Sequence, residues 1–187
     1  MSRKSGNARF GMGSWVLLWV CAACTGGGVT DPDGRPADPL AENVPATVLV
    51  FVATSCPLSN RYAPEIRRLH EAFAARGVAM YLVYPTASEP PSAIRAHLRD
   101  YDFGTPALRD PFHTLVKRAG ATVTPEAAVF RHGQVAYLGR IDDRQVAFGV
   151  TRAEPTSHDL EAAVASVLSG KALDERYAPA IGCSIGP

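Results

Sequence analysis

The 187-residue sequence predicts an α/β fold in which helices flank a central mixed sheet. An apolar run over 48–52, rich in β-branched residues, is typical of a buried strand. A second apolar run, over 78–84, predicts another buried strand, and a stretch with helical spacing lies between the two runs. This strand–helix–strand order predicts a parallel pair of strands with a right-handed crossover. Two later strands flank a Gly-containing turn at 131–134, which predicts an antiparallel hairpin. Parallel and antiparallel pairs in one sheet make the sheet mixed.

Cys56 lies between the first predicted strand and the first predicted helix. Pro57 suits the first helical position, because the N–H that proline lacks would be unpaired there, and apolar residues then recur at helical spacing as far as Phe73. A helix N-terminus favours negative charge, so we expect a Cys56 thiolate with a lowered pKa. Arg61, one turn into the helix, is a candidate for supporting that thiolate, and a surface charge is the equal alternative. A buried cysteine acting as a small hydrophobic residue is the alternative.

The remaining predicted elements are a helix, a short strand, a second helix, the hairpin and a last helix. Their predicted ranges are 92–101, 105–108, 110–119, 127–138 and 158–169. Residues 139–151 are polar and predict a loop. Thr156 or Ser157 is expected to cap the last helix, and Gly170 is expected to end it.

The first residues of the chain predict export. A basic start precedes a short apolar run at 15–23, and a bilayer span needs about 20 apolar residues. We therefore interpret residues 1–23 as a signal peptide. Residues 24–45, rich in Gly, Pro and Asp, predict a flexible tether, residues 46–170 the folded domain, and residues 171–187 a C-terminal tail that carries Cys183.

The segment Ala22-Ala23-Cys24 resembles a bacterial lipobox, in which the cysteine is lipidated and becomes the mature N-terminus. The usual pattern has an aliphatic residue where Cys21 stands, and ordinary signal cleavage is the alternative. The resemblance implies a cell-envelope lipoprotein held at the membrane through a lipid on Cys24. Signal cleavage alone implies a periplasmic protein.

The chain has four cysteines, and export changes how they are counted. Cys21 and Cys24 fall in or beside the signal peptide, which leaves Cys56 and Cys183 in the exported chain. Two remaining cysteines suggest a pair in an oxidising compartment. Their wide separation in the sequence leaves open whether they meet.

Two proline motifs carry a resemblance to the thioredoxin fold. Cys56-Pro57 begins the first helix, and Thr124-Pro125 stands just before the hairpin. Together with the order of the predicted elements, these two motifs indicate that residues 46–170 resemble that fold. In thioredoxin-like proteins the second motif is a cis-proline beside the reactive cysteine, so the resemblance implies a cis bond at Pro125 near Cys56. A strand-edge proline is the alternative.

More closely, the chain resembles exported bacterial members of the peroxiredoxin-like redoxin group. The similar segments are 55–65, 123–127, 139–144 and 182–185. The resemblance implies a redox enzyme that performs thiol–disulfide exchange or peroxide reduction. Cys56 would be the attacking thiolate, and Cys183 would resolve the intermediate and leave a Cys56–Cys183 disulfide. Its partners would be a protein or small-molecule disulfide, or a peroxide, and an unknown reductant.

The chain departs from both families at the site. Thioredoxins have tryptophan and a second cysteine where this chain has Ser55 and Ser59, so Cys56 has no local dithiol partner. Peroxiredoxins have a threonine that orients the peroxide three residues before the cysteine. This chain has Ala53 there, with Thr54 one place away, which weakens the case for peroxidase activity.

A non-catalytic protein of the same fold is the competing hypothesis. It would be a binding or copper-handling module in which a Cys56–Cys183 disulfide is structural. No cofactor or bound metal is predicted, because the histidines show no ligand spacing and exposed or capping histidines are the commoner outcome. Asp142, Asp143 and Arg144 are interpreted as a solvated turn rather than a polar site near Cys56. The net charge of +1 gives no case for nucleic acid.

Overall fold

The structure is a computed structural model that describes residues 28–41, 43–171, 173 and 177–186. The expected signal peptide and Cys24 lie outside the described residues. Within the described ranges, no helix combines the length and the apolar character that crossing a membrane requires.

The described residues form ten strands and five helices. The strands are β1 (Thr47–Phe51), β2 (Ala79–Tyr84), β3 (Ala107–Arg109), β4 (Val123–Thr124), β5 (Glu126–Arg131), β6 (Gln134–Gly139), β7 (Gln145–Ala147), β8 (Val150–Thr151), β9 (Tyr177–Ala178) and β10 (Cys183–Ser184). The helices are α1 (Pro57–Arg61), α2 (Ala63–Ala74), α3 (Pro91–Asp100), α4 (Thr114–Ala119) and α5 (Asp159–Ser169).

The main sheet has the order β3-β2-β1-β5-β6-β9 and is mixed. Strand β1 runs parallel to β2, as the sequence predicts, and the structure also pairs it antiparallel with β5. Side chains of β1 alternate between the two faces: Val48 and Val50 enter one buried cluster, while Leu49 and Phe51 enter the other. Both faces are covered by helices or loops, which explains why this strand reads as a continuous apolar run.

The first helical region is two helices rather than one. Helix α1 ends at Arg61, Tyr62 forms the junction, and α2 begins at Ala63. The physical reason is Pro64, which has no N–H to donate to the Asn60 carbonyl and whose ring would clash with it. The break leaves Cys56 at the start of a helix of five residues.

The expected flexible tether packs onto the domain within residues 28–41, which corrects the sequence prediction for that part of 24–45. Val29 is 4% exposed and joins the same buried cluster as Leu49. Thr30 and Arg109 exchange backbone hydrogen bonds of 3.1 and 2.7 Å, so the segment covers the outer edge of β3. A Gly/Pro/Asp-rich composition predicts turns, but it does not reveal one buried valine beside an open strand edge.

The predicted loop at 139–151 is also more ordered than expected. It contains the small antiparallel pair β7–β8. Asp143 is 6% exposed, and its carboxylate accepts the backbone N–H groups of Thr156 (2.7 Å) and Ser157 (3.0 Å). These two residues therefore do not cap α5, which begins at Asp159 with His158 in the cap position.

Candidate active site

Cys56 lies at the end of the turn that follows β1 and is 1% exposed. It occupies the N-cap position of α1, with Pro57 at the first helical position as predicted. The turn is closed by a hydrogen bond of 3.1 Å from the Cys56 N–H to the Ala53 carbonyl, and the Ala53 N–H donates to the Ser59 hydroxyl at 3.4 Å. Strand, turn and helix thus fix the thiol at the end of the sheet.

The Thr124–Pro125 peptide bond is cis, as the resemblance implies. Thr124 is buried and lies beside the thiol, because its carbonyl oxygen is 3.1 Å from the Cys56 sulfur. In the protonated state the Cys56 S–H donates to that carbonyl. The two proline motifs, far apart in the sequence, therefore meet at one end of the main sheet.

The C-terminal tail brings Cys183 to the same place. Strand β10 pairs antiparallel with β4, with Cys183 opposite Thr124. The two cysteines are free thiols in the structure, and their sulfur atoms are 2.6 Å apart. The thiols are thus in direct contact, and Cys183 is the more exposed of the two.

The two thiols have very different pKa values. Burial raises the pKa of Cys56, but surrounding donors outweigh it and hold the pKa at about 7, below its ordinary value of 9.0. These donors are the Cys183 thiol, the Ser59 N–H and the Thr124 and Ser59 hydroxyls. Burial and the neighbouring Cys56 raise the pKa of Cys183 to about 11. Near neutral pH the pair therefore carries its negative charge on Cys56.

Arg61 is not brought to the thiolate that it was expected to support. Its side chain is exposed and donates to the Thr151 hydroxyl at 2.8 Å. The contacts that lower the pKa of Cys56 come from Cys183, Ser59 and Thr124 instead. Sequence spacing places Arg61 one turn beyond the cysteine, but it does not fix the direction in which a long side chain extends.

Glu89 is a buried residue of the site region that the sequence did not reveal. It is 7% exposed, and its Oε1 atom accepts the Thr54 N–H (2.7 Å) and the Thr54 hydroxyl (2.8 Å). The Thr54 hydroxyl is therefore engaged, and Ala53 offers none. Glu89 stands in a Pro-rich loop after β2, where no local pattern distinguishes it from a surface acid.

The expected solvated turn at Asp142 is buried, which corrects the sequence interpretation. Asp142 is 1% exposed and accepts hydrogen bonds from the Tyr62 hydroxyl (2.5 Å) and the Arg144 N–H (2.9 Å). Burial and this carboxylate raise the pKa of Tyr62. Asp142 therefore anchors the α1–α2 junction rather than contacting the thiol.

The histidines also differ from expectation in one case. His97 is 4% exposed, with its ring nitrogens 2.9 Å from the Tyr84 hydroxyl and 2.7 Å from the Asn60 side-chain oxygen. It is part of a buried hydrogen-bond network, whereas His132 and His158 are exposed. In the part of the chain that the structure describes, no group of three His, Cys, Asp or Glu side chains could hold a metal ion together.

Solved structures share this fold. A hypothetical protein from Sinorhizobium meliloti is 27% identical, with a TM-score of 0.72 over 84% of this chain and 88% of that one. A secreted Mycobacterium tuberculosis disulfide oxidoreductase, described as homologous to Escherichia coli DsbE, is 17% identical, with a TM-score of 0.51 over 76% and 93%. Mycobacterium tuberculosis DsbF is 20% identical, with a TM-score of 0.57 over 74% and 92%. The fold is therefore thioredoxin-like.

The family assignment comes from the sequence of the domain. No curated protein matches the chain. The model of the AhpC/TSA family matches residues 40–138, a range that begins before β1, includes Cys56 and Pro125 and ends in β6. That range is more than half of the 187 residues, and the chain therefore belongs to the AhpC/TSA family of redoxins.

Proposed function

We propose that this chain is an exported thiol–disulfide oxidoreductase in which Cys56 attacks a disulfide and Cys183 resolves the intermediate. The contact that carries the proposal joins two thiols 2.6 Å apart whose pKa values are about 7 and about 11. One sulfur is thus a thiolate near neutral pH, and the other is a protonated thiol within reach of it. A nucleophile and a resolving group need this division of roles.

In the first step the Cys56 thiolate attacks one sulfur of the substrate disulfide. A Cys56–substrate S–S bond forms, the substrate S–S bond breaks, and the other substrate sulfur leaves as a thiolate that takes a proton from solvent. The Cys56 sulfur is then neutral and no longer raises the pKa of Cys183 by its charge. Cys183 consequently loses its proton more readily than in the resting pair.

In the second step the Cys183 sulfur attacks Cys56. The Cys56–Cys183 bond forms, the mixed disulfide breaks, and the remaining substrate sulfur leaves and is protonated. The substrate has gained two electrons and the cysteine pair has lost two. A dithiol reductant resets the pair by the same exchange in reverse.

A disulfide fits this site better than a peroxide. Ala53 stands where the resemblance to peroxiredoxins would require a threonine, and the Thr54 hydroxyl already donates to Glu89. The site therefore offers neither hydroxyl to orient a peroxide. A non-catalytic copper-handling role is the second candidate, since the described residues place two thiols side by side and thiolates suit Cu(I).

Cysteine variants test the proposal. Cys56→Ser should abolish disulfide reduction. Cys183→Ser should react once and then accumulate a mixed disulfide at Cys56, detectable by mass spectrometry. Ser55→Ala, which changes an exposed neighbour of Cys56, should keep wild-type turnover. Equal turnover of wild type and Cys183→Ser would contradict the resolving role.

The reduction potential separates this proposal from a structural disulfide. Structural disulfides typically lie below about −300 mV, whereas exchanging pairs are less reducing. We expect the Cys56–Cys183 pair above that value, measured by equilibration with glutathione or dithiothreitol. A potential below it, together with no turnover, would favour the non-catalytic alternative.

We also propose that the protein is exported and anchored through a lipid on Cys24. The basic start, the short apolar run and the lipobox-like segment support this proposal. Mass spectrometry of the native protein should find residues 1–23 absent and acyl chains on Cys24. An unmodified N-terminus elsewhere would remove the lipid anchor, and an intact 1–23 segment would remove export.

A further inference from the structure

Residues 182–185, here called the tail segment, lie along β4 and cover Cys56. Two of them form β10, whose Cys183 and Ser184 pair with Thr124 and Val123. Beyond the strand, the Ile185 N–H donates to the Thr122 carbonyl at 2.9 Å. The ladder is antiparallel and places a cysteine sulfur directly against the Cys56 sulfur.

The tail segment fits closely against the backbone of β4. Gly182 is buried, and a Cβ atom built there would lie 2.3 Å from the Thr124 carbonyl oxygen. The contact is with backbone, so it cannot be relieved by moving a flexible side chain. Ile185, half-buried, adds an apolar contact with the cluster that contains Leu49. The segment is therefore held by shape as well as by hydrogen bonds.

The chain is fixed again a few residues earlier. Strand β9 pairs parallel with β6, and the Arg140 N–H donates to the Ala178 carbonyl at 2.9 Å. Residues 179–181 join this anchor to the tail segment and belong to no strand or helix. The tail segment can consequently leave β4 while β9 keeps Cys183 close, which preserves a high effective concentration for its return.

We propose that the tail segment is an intramolecular competitor that must leave β4 before a polypeptide disulfide can reach Cys56. The inference rests on the proposed function and adds the regulation of the same site. With the tail segment in place Cys56 is 1% exposed, so an extended polypeptide has no path to its sulfur. The same four residues show what β4 accepts, an extended backbone that carries a cysteine opposite Thr124.

The cycle then has a closed and an open state. The tail segment covers a reactive thiolate at rest, opens to admit the substrate, and returns with Cys183 to break the mixed disulfide. A ladder of two residue pairs is a small cooperative unit, and such units open far more readily than the whole fold. The closed state thus protects the thiolate without blocking turnover.

Glycine variants provide a matched test. Gly182→Ala places a methyl group against the Thr124 backbone in the closed state only, whereas a Cβ at Gly186 meets nothing within 4 Å. Reduced full-length protein would be treated with a bulky maleimide, and the initial rate at Cys56 would be read by peptide mass. We expect Gly182→Ala to raise that rate about tenfold or more, because overpacking shifts the equilibrium towards the open state. Gly186→Ala should match wild type.

A second variant weakens the closed state by a different change, so that the test does not depend on one substitution. Ile185→Ser removes the apolar anchor at the other end of the tail segment and should raise the rate at Cys56 in the same direction. Thermal unfolding shows whether each variant keeps its fold. Wild-type rates at Cys56 in folded Gly182→Ala and Ile185→Ser would overturn the inference. Because alkylation needs no turnover, that result would leave the proposed oxidoreductase activity standing.

Discussion

The Cys56 sulfur owes its acidity to neighbours from three parts of the chain. Burial destabilises the thiolate and raises its pKa. Hydrogen bonds lower the pKa again, and they come from Ser59 in the same helix, Thr124 in the cis-proline motif and Cys183 in the tail. The local placement at a helix start is therefore one contribution among several. The pKa of about 7 is a property of the assembled site.

We predict that alkylation of Cys56 rises with pH through a midpoint near 7, because the thiolate is the reactive form. Ser59→Ala removes a hydroxyl that lowers this pKa but keeps the backbone N–H, so the midpoint should move to higher pH. The measurement is the rate of iodoacetamide modification at Cys56 as a function of pH. Ser55→Ala, at an exposed position, is the control. An unchanged midpoint in Ser59→Ala would exclude the hydroxyl as a contributor.

At the scale of elements, side chains from outside a helix or strand often fix where it begins. The fully buried Asp110 accepts the backbone N–H groups of Thr114, Leu115 and Val116 at 2.7, 2.8 and 3.0 Å. The sequence places this aspartate at the opening of the helix, whereas the structure starts α4 at Thr114 and uses the Asp110 carboxylate to satisfy its first N–H groups.

Asp110→Ala should lower the free energy of unfolding by about 1–3 kcal/mol, because it leaves buried N–H groups unpaired. The measurement is equilibrium urea denaturation. Asp38→Ala provides the matched control, since Asp38 is exposed and accepts one backbone N–H in a turn, that of Leu40 at 3.2 Å. Equal losses in the two variants would contradict the capping role of Asp110.

At the scale of the whole molecule, the domain extends beyond the sheet and helices that the family match covers. The segment beginning at Gly28 packs on the β3 edge, and the tail returns to pair with β6 and β4. Both extensions therefore close open strands of the fold. The tail also supplies the second cysteine of the site.

Val29→Ala should lower the free energy of unfolding by about 1–2 kcal/mol if residue 29 belongs to the core, at about 0.8 kcal/mol for each buried methylene removed. Chemical denaturation of the full chain measures this loss. Val150→Ala, at a position 53% exposed, should change stability far less. No loss in Val29→Ala would restore the interpretation of this segment as a free tether.

The cis bond at Pro125 beside Cys56 was implied only by the resemblance to the thioredoxin fold. The sequence by itself determined the mixed α/β fold, the hairpin and the place of Cys56 between a strand and a helix. These features follow from local rules: apolar runs mark buried strands, and glycine and proline restrict the backbone. His132 and Gly133 in the hairpin turn have φ values of 50° and 72°, as such a turn requires. Apolar runs and prolines determine the structure of residues close to them in the sequence, so a sequence pattern is enough to predict that structure.

Only the tertiary structure decided which polar groups are buried and which thiols meet. Glu89, Asp142 and His97 resemble surface residues in the sequence, and Arg61 resembles a thiolate partner. Whether each of these side chains is buried, and which groups it contacts, depends on elements that lie far away in the sequence. The contact of Cys56 with Cys183 likewise requires β10 to pair with β4. Strand pairing at an edge depends on which backbone groups remain unpaired in three dimensions, and no local sequence pattern encodes that.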